Sequence, residues 1–510
     1  MRRLITAALL AMAPLPAAAA PRADMADEVI YHVFTRSFRD SNGDRIGDLN
    51  GIAASIPYLR QLGVTTLLLT PLYPSRTYHN YFATDFEGIE PKYGTMADFR
   101  HLVAALHRAH MKIVLDMEFQ YVTDGHPWWK AAMADPQSAA GDRILWQDRA
   151  RGVPEDGPFG LRSFGHFGHD PQKVTTVALK SDAVRQWADR YLRQWVDPAG
   201  DGRCIDGVDG FRLDHMMDEL DQRPALTDLF TVFWKPAFEH LRAINPRLMF
   251  IAEQAEWADL GTDYFTRAGV SAVFAFHLQG TIRKLDKVAL TEAITATAKA
   301  TPPGSHQVVF AENHDLPRTA SDPGMTGERL RSVAALVMLL QGTPSIYYGQ
   351  ELGMKGARNP AYKTDEAEIP QREAFKWSAT DAAAGEATWY RRPGEAYWDQ
   401  RQARDHDGIS VAEEAGKPGS LLTRYRRLAA LRHAHGALRH GDETVLPSPA
   451  NLLVVRRSLG RESLYIVSNL SPYPARYTGP GADGPDLIGG GAATLRPWQT
   501  ALFRAVRRDR

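Results

Sequence analysis

Three short stretches carry acids in positions where they could do chemistry. GVDGFRLD (207–214) ends an apolar run with Arg212 and Asp214 two residues apart. In an extended strand those two side chains leave the same face. A guanidinium beside a carboxylate favours the ionised form that a nucleophile needs. LMFIAEQ (248–254) supplies a lone Glu253 from an apolar frame, where desolvation favours a protonated carboxyl that can act as a general acid. VVFAENHD (308–315) closes on Asn313, His314 and Asp315. Any one of these acids has an ordinary explanation as a solvated strand end or helix cap; three at matched ends of apolar runs make that explanation much weaker.

A second kind of chemistry is offered by DSNGDRIGD (40–48), in which Asp40, Asn42, Asp44, the carbonyl of Ile46 and Asp48 put oxygen donors at alternate positions. A hard cation such as Ca²⁺ takes a loop of this composition. The loop is not a full EF-hand, since Arg45 holds the sixth position and Gly51 the twelfth. On spacing alone, a polar turn capping the helix from Gly51 explains the motif as well. Cys204 reads as a passive thiol, and His166 and His169 in FGHFGHD read as surface or sugar-contacting residues.

These residues need elements to hold them. Short apolar runs predict strands at Val29–Phe34, Thr65–Tyr73, Lys112–Phe119, Val208–Asp214, Leu248–Glu253, Ala272–His277, Val308–Asp315 and Pro344–Tyr348. Amphipathic stretches lie between them. Phe99, Leu102, Val103 and Leu106 follow a cap at Thr95, and Val184, Trp187, Tyr191 and Trp195 follow Ser181. A further stripe of Leu421, Tyr425, Leu428 and Leu431 stops at Gly436. Eight strands alternating with helices predict an α/β fold, a (β/α)8 TIM barrel whose polar strand ends share one mouth. The expected plan is barrel at 21–121 and 181–440, a small inserted domain after strand 3 at 122–180, and a C-terminal antiparallel β domain at 441–510. Three carboxyls, an Arg and a His at one barrel mouth suit glycoside hydrolysis, in which one acid attacks and another protonates the leaving oxygen.

Composition narrows the partners. The 510 residues hold 60 Lys+Arg against 60 Asp+Glu, which offers no electrostatic attraction to nucleic acid or an acidic membrane. A single cysteine excludes an intrachain disulfide and a cysteine-built metal cluster. Arg2 and Arg3, the apolar run Leu4–Leu15 and the alanines 17–20 have the form of a cleavable export signal. No later run has the length of a membrane anchor, so the expectation is an exported protein, periplasmic or extracellular.

From about Glu28 onwards the chain resembles the α-amylase family of glycoside hydrolases, on the strength of GVDGFRLD, IAEQ and ENHD in that order. The resemblance implies Asp214 as nucleophile, Glu253 as general acid/base and Asp315 as transition-state stabiliser. Arg212 would support the nucleophile, and His314, with Asn313 beside it, would face sugar hydroxyls. YHNYFATD is similar to the stretch that puts a tyrosine under the reacting sugar, here Tyr81, for which loop packing is the alternative. Many oligosaccharide-cleaving members carry a calcium loop like 40–48, which implies structural Ca²⁺. The substrate implied is an α-glucan or malto-oligosaccharide, cleaved with retention. The alternative is transglycosylation, or sucrose- or trehalose-type isomerisation, by the same acids. There are departures. Gln120 and Tyr121 stand where the family usually has Asn and His, so that Tyr121 or His126 would have to replace the histidine's contact with sugar. Met217 and Asp218 stand where many starch-degrading members have Lys-His.

Overall fold

Strand alternation sorts the barrel into an apolar floor and a charged mouth. A computed structural model describes residues 24–325, 327–391, 401–489 and 491–505. Eight parallel strands close on themselves: β1 (Ile30–Val33), β2 (Thr66–Leu69), β3 (Lys112–Met117), β4 (Gly210–Met216), β5 (Met249–Gln254), β6 (Ala272–Phe274), β7 (His306–Val309) and β8 (Thr343–Tyr347). Each pairs with its neighbour in sequence, and β8 returns to β1. Inward residues Ile30, Leu68, Val114, Met249, Ile251 and Val308 form the apolar floor. Two residues further along the strands the inward positions turn polar: His32, Asp116, Arg212 and Glu253. Outward residues such as Tyr31, Leu67, Ile113, Phe211 and Phe250 pack beneath the helices. The period of two thus places apolar packing below and ionisable groups above on the same strands.

The expected helix starts are observed. Thr95 and Asp98 form a capping box for Met96–Arg108, Ser181 caps Asp182–Val196, and Ser420 caps Leu421–Ala434. Several boundaries differ from the sequence reading, among them the ends of the sixth and seventh strands. The sixth strand stops at Phe274 because the helix Phe276–Lys284 begins two residues on. The seventh stops at Val309, so Asn313, His314 and Asp315 stand on the following turn instead of the strand tip. The helix Leu421–Ala434 stops before Gly436 as expected, and Gly436 opens a second, short helix, Gly436–His440.

Between β3 and β4, strands Tyr121–Thr123, His169–Thr176 and Ser163–His166 form a three-stranded antiparallel sheet beside the helix Pro127–Ala134. At the C-terminus, β9 (Asp442–Leu446), β10 (Leu452–Leu459), β11 (Glu462–Asn469) and β12 (Thr500–Arg504) make an antiparallel sheet. One face, with Leu453, Val455, Leu464 and Ile466, joins the barrel core. Arg432 is fully buried at this junction and donates to the carbonyls of Met338, Leu438, Ala26 and Gly342. The expected export segment 1–20 lies outside the described residues. Among the described residues no helix is long and apolar enough to cross a membrane.

Gly210 shows how closely the site depends on the barrel. A Cβ there would stand 2.2 Å from the carbonyl oxygen of Met249 on β5, so β4 and β5 can approach only because this residue has no side chain. Gly210→Ala should force the two strands apart. Overpacking of this kind costs about 1–3 kcal/mol, so the urea midpoint should fall together with activity. A variant with wild-type midpoint and turnover would show that the strands have slack.

Candidate active site

Arg212 is the hub of the mouth. Its side chain rises from β4 and is almost fully buried. Nη1 donates to both oxygens of Asp116 on β3 (2.8 and 2.9 Å) and to Asp214 Oδ1 (2.5 Å). Nη2 lies 2.7 Å from Glu253 Oε2 on β5. Three carboxyl groups from three neighbouring strands therefore share one guanidinium. Each partner is held where Arg geometry puts it, because the fork is planar and rigid.

Charge is crowded here. Burial raises the Asp116 carboxyl to about 6, against the pull of Arg212. Burial also raises Asp214, with Arg212 opposing and Glu253 and Asp116 reinforcing the rise. The sequence reading expected Arg212 to leave Asp214 simply ionised; in the folded protein the guanidinium is divided among three acids and burial outweighs its share. Asp315 is raised to about 7, by burial first and then by Glu253, while Arg372 opposes. One guanidinium divided among Asp116, Asp214 and Glu253 offsets the burial of the two aspartates only in part.

The remaining expected residues fall into place around this hub, with corrections. Tyr81 donates its hydroxyl to Asp116 Oδ2 (2.6 Å) and stacks on the His314 ring at 5.1 Å. Loop packing and a place at the mouth are thus combined in one residue. His314 is buried and held neutral by that burial, its pKa well below the usual imidazole range; its Nε2 lies 3.0 Å from Asp315 Oδ2. Asn313 turns its side chain back to accept the main-chain N–H groups of Asp315 and Leu316, so it shapes the turn. Tyr121 donates its hydroxyl to Asp221 (2.7 Å). His126 caps the helix Pro127–Ala134 through Trp128 N–H and packs on Phe86, so it does not stand in for the family's histidine.

Some contributors escaped the sequence reading. Arg372 binds Asp315 (3.1 Å), Glu368, the Tyr78 hydroxyl and the His314 carbonyl. It comes from the segment after β8, far from any strand end. His32 stands edge-on to His314 at 5.3 Å and is pushed down to about 3 by burial; its inward place on β1, two after Ile30, was legible from alternation. Asp221 had no signal in the sequence.

In the 40–48 loop the acids gather main-chain donors. Asp40 accepts the N–H groups of Asn42, Gly43 and Arg45; Asn42 accepts that of Asp44, and Asp44 that of Ile46. Asp48 accepts Ser41 and caps the helix Leu49–Ala54 through Gly51 N–H. Arg45 has φ 67°, the left-handed turn that glycine takes at this position of a calcium loop. Its guanidinium reaches the carbonyls of Asp381, Ala382 and Ala383. Among the described residues no three Asp, Glu, His or Cys side chains converge as a metal shell; the oxygen donors of this loop are mixed, with an amide and a carbonyl among them.

A model of the alpha-amylase catalytic domain matches residues 32–441. Alpha-amylase 3 of Dictyoglomus thermophilum is 26% identical over 87% of this chain and 84% of its own. A probable oligo-1,6-glucosidase 2 of Bacillus subtilis is 26% identical over 89% of this chain and 92% of its own. A 4-alpha-glucanotransferase of Thermotoga maritima is 28% identical over 86% and 95%. Among solved structures, an alpha-amylase from H. orenii superposes with TM-score 0.78 at 24% identity, covering 94% of this chain and 99% of its own, a likeness of fold. The chain belongs to the alpha-amylase family and is a glycoside hydrolase of that family.

Proposed function

We propose that this enzyme cleaves α-glucosidic bonds in short α-glucans with retention, using Asp214 as nucleophile and Glu253 as acid/base. The observation that carries the reading is the shared guanidinium: Asp214 and Glu253 occupy its two terminal nitrogens. That makes the two carboxyls close neighbours, as double displacement requires at about 5–5.5 Å. Asp214 attacks the anomeric carbon while Glu253 gives its proton to the leaving oxygen. The glycosyl ester on Asp214 is then opened by water, which loses its proton to Glu253. Asp315, tethered by Arg372, supports the positive charge that develops on the sugar. Asp214→Asn and Glu253→Gln should each lower kcat by roughly 10³-fold or more with the fold intact, and NMR should show the α-anomer as first product. Near-normal turnover in either variant, or a β-anomer, would remove this mechanism.

Preference for short chains is supported by how the mouth is enclosed. The segment after β8 meets the inserted sheet: Asp365 accepts the Phe167 N–H (2.7 Å), and Trp389 lies 5.9 Å from the Phe167 ring and stacks on Tyr78 at 4.9 Å. Asp218, where a Lys-His pair serves many starch-degrading members, is occupied by Arg267 and the Phe230 N–H. The expected result is a higher kcat/KM for maltotriose than for long amylose. Internal cuts in amylose, with rapid loss of iodine staining, would show an open cleft instead. Transfer to a sugar acceptor is the second reading. It is favoured by two exposed aromatic faces, Phe159 at 5.4 Å from the His215 ring and Trp257 close after Glu253 in sequence, and would appear as oligosaccharide products at high maltose.

The 40–48 loop suits a structural Ca²⁺ held by Asp40, Asn42, Asp44, the Ile46 carbonyl and Asp48. The left-handed Arg45 and the oxygen-rich donor set support this assignment. Bound there, the ion would supply stability to the first βα loop and take no part in catalysis. At a hundredfold excess over Kd it would add about 2.7 kcal/mol. A chelator should therefore lower the Tm, and Asp44→Ala should abolish that response; superimposable melts with and without chelator would leave a polar turn. The basic and apolar leader 1–20 supports a place of work outside the cytoplasm.

A further inference from the structure

The departures at the end of β3 and a distortion in β4 form one unit. In the pairing of β4 with β5, Leu213 faces Ala252 and Met216 faces Gln254. Asp214 and His215 together therefore oppose the single residue Glu253, a bulge of a kind rare between parallel strands. His215 takes φ 45°, a conformation costly for a residue with a Cβ and sustained only where surroundings enforce it. Its main-chain N–H consequently points at Glu253 Oε2, 3.1 Å away.

The surroundings that enforce it are the residues that replace the family's usual pair. Gln120 Nε2 donates to the Asp214 carbonyl at 2.5 Å and leans on that of His215 at 3.4 Å. The His215 ring places Nε2 3.0 Å from Asp221 Oδ1. Asp221 Oδ2 accepts the Tyr121 hydroxyl (2.7 Å) and Arg223 Nη1 (2.6 Å). Arg223 is itself tied to the carbonyls of Asp156 and Gly157 in the inserted segment, 2.8 Å each. Asp221 also has a positive φ, 49°, so the residue that fixes the bulge is set in its own constrained turn. We propose that Tyr121, Asp221 and the His215 ring are a positioning unit that holds the β4 bulge and so aims Glu253 through the His215 main-chain N–H. The inference rests on Glu253 being the acid/base.

The consequence is a defined proton position. Glu253 Oε2 faces two donors, Arg212 Nη2 and His215 N–H, and both require a lone pair there. The acid proton is therefore carried on Oε1, the oxygen left for the leaving group. Asp221 is suited to anchor the ring as an anion: burial works against its charge, but hydrogen bonds from His215, Tyr121 and Arg223 hold it below the usual carboxylate range. In this account Tyr121 and Asp221 touch no substrate.

The test uses leaving groups. Maltotriose needs its leaving oxygen protonated, whereas 4-nitrophenyl α-glucoside departs as a stable phenolate with little acid assistance. Asp221→Asn and the milder Tyr121→Phe should lose kcat/KM on maltotriose by roughly tenfold or more, a fraction of what general-acid catalysis contributes, and keep most activity on the aryl glucoside. If Asp221→Asn fails to fold, Tyr121→Phe and His215→Val carry the same comparison. His215→Asn, which tolerates positive φ and retains a side-chain donor, should preserve more maltotriose activity than His215→Val. Equal losses on both substrates, or no loss on either, would overturn the proposal by reducing the unit to packing. An aryl-glucoside activity that survives Glu253→Gln only when azide is added would uphold the acid/base reading independently. Wild-type inactivity on both substrates would sink that reading and this inference with it.

Discussion

One buried guanidinium sets the terms for the rest of the molecule. Arg212 can lie out of water only because Asp116, Asp214 and Glu253 meet it; an unpaired buried charge would cost several kcal/mol. That need fixes the register of three adjacent strands, since the acids must sit at matched heights on β3, β4 and β5. Gly210 permits the approach of β4 to β5, and the bulge at His215 turns the chain so that Glu253 is held from two sides.

A second guanidinium serves the opposite wall. Arg372 holds Asp315 and the turn carrying His314, while Glu368 and the Tyr78 hydroxyl take its remaining donors. Tyr81 and His314, stacked face to face, connect the two halves. Asp315 is the most exposed of the three proposed catalytic carboxyls, with a third of its side chain open, which suits a group that meets the sugar from the side of the solvent. Asp365, Phe167 and Trp389 join the segment after β8 to the inserted segment, and Phe159 stands exposed beside the His215 ring.

What the sequence made legible follows from range. Arg212 and Asp214, two residues apart on one strand, could be read as sharing a face, and so could the lone Glu253 in its apolar frame. The barrel was legible from its alternating runs. The end of β7 was not, because Phe310 and Ala311 continue the apolar pattern after strand pairing has stopped. Asn313 looked like a site residue by its neighbours but serves the turn. Tyr121 looked like a stand-in for a sugar-binding histidine, yet its partner lies a hundred residues away in a left-handed turn. Contacts between distant segments, such as Arg372 with Asp315, leave no local pattern, and Arg223 with the inserted segment is of the same kind.

The most direct test of the account is Arg212→Lys. Lysine keeps the charge and most of the length but replaces a planar fork by a single ammonium, so it cannot hold Asp116, Asp214 and Glu253 in one plane. The expected result is a soluble protein with the wild-type circular dichroism spectrum and a kcat reduced by about 10²-fold or more, as misplacement of a catalytic group by 1 Å entails. A lysine variant that turns over maltotriose within a few-fold of wild type would contradict it, for the site would then need only a positive charge and not the shared guanidinium.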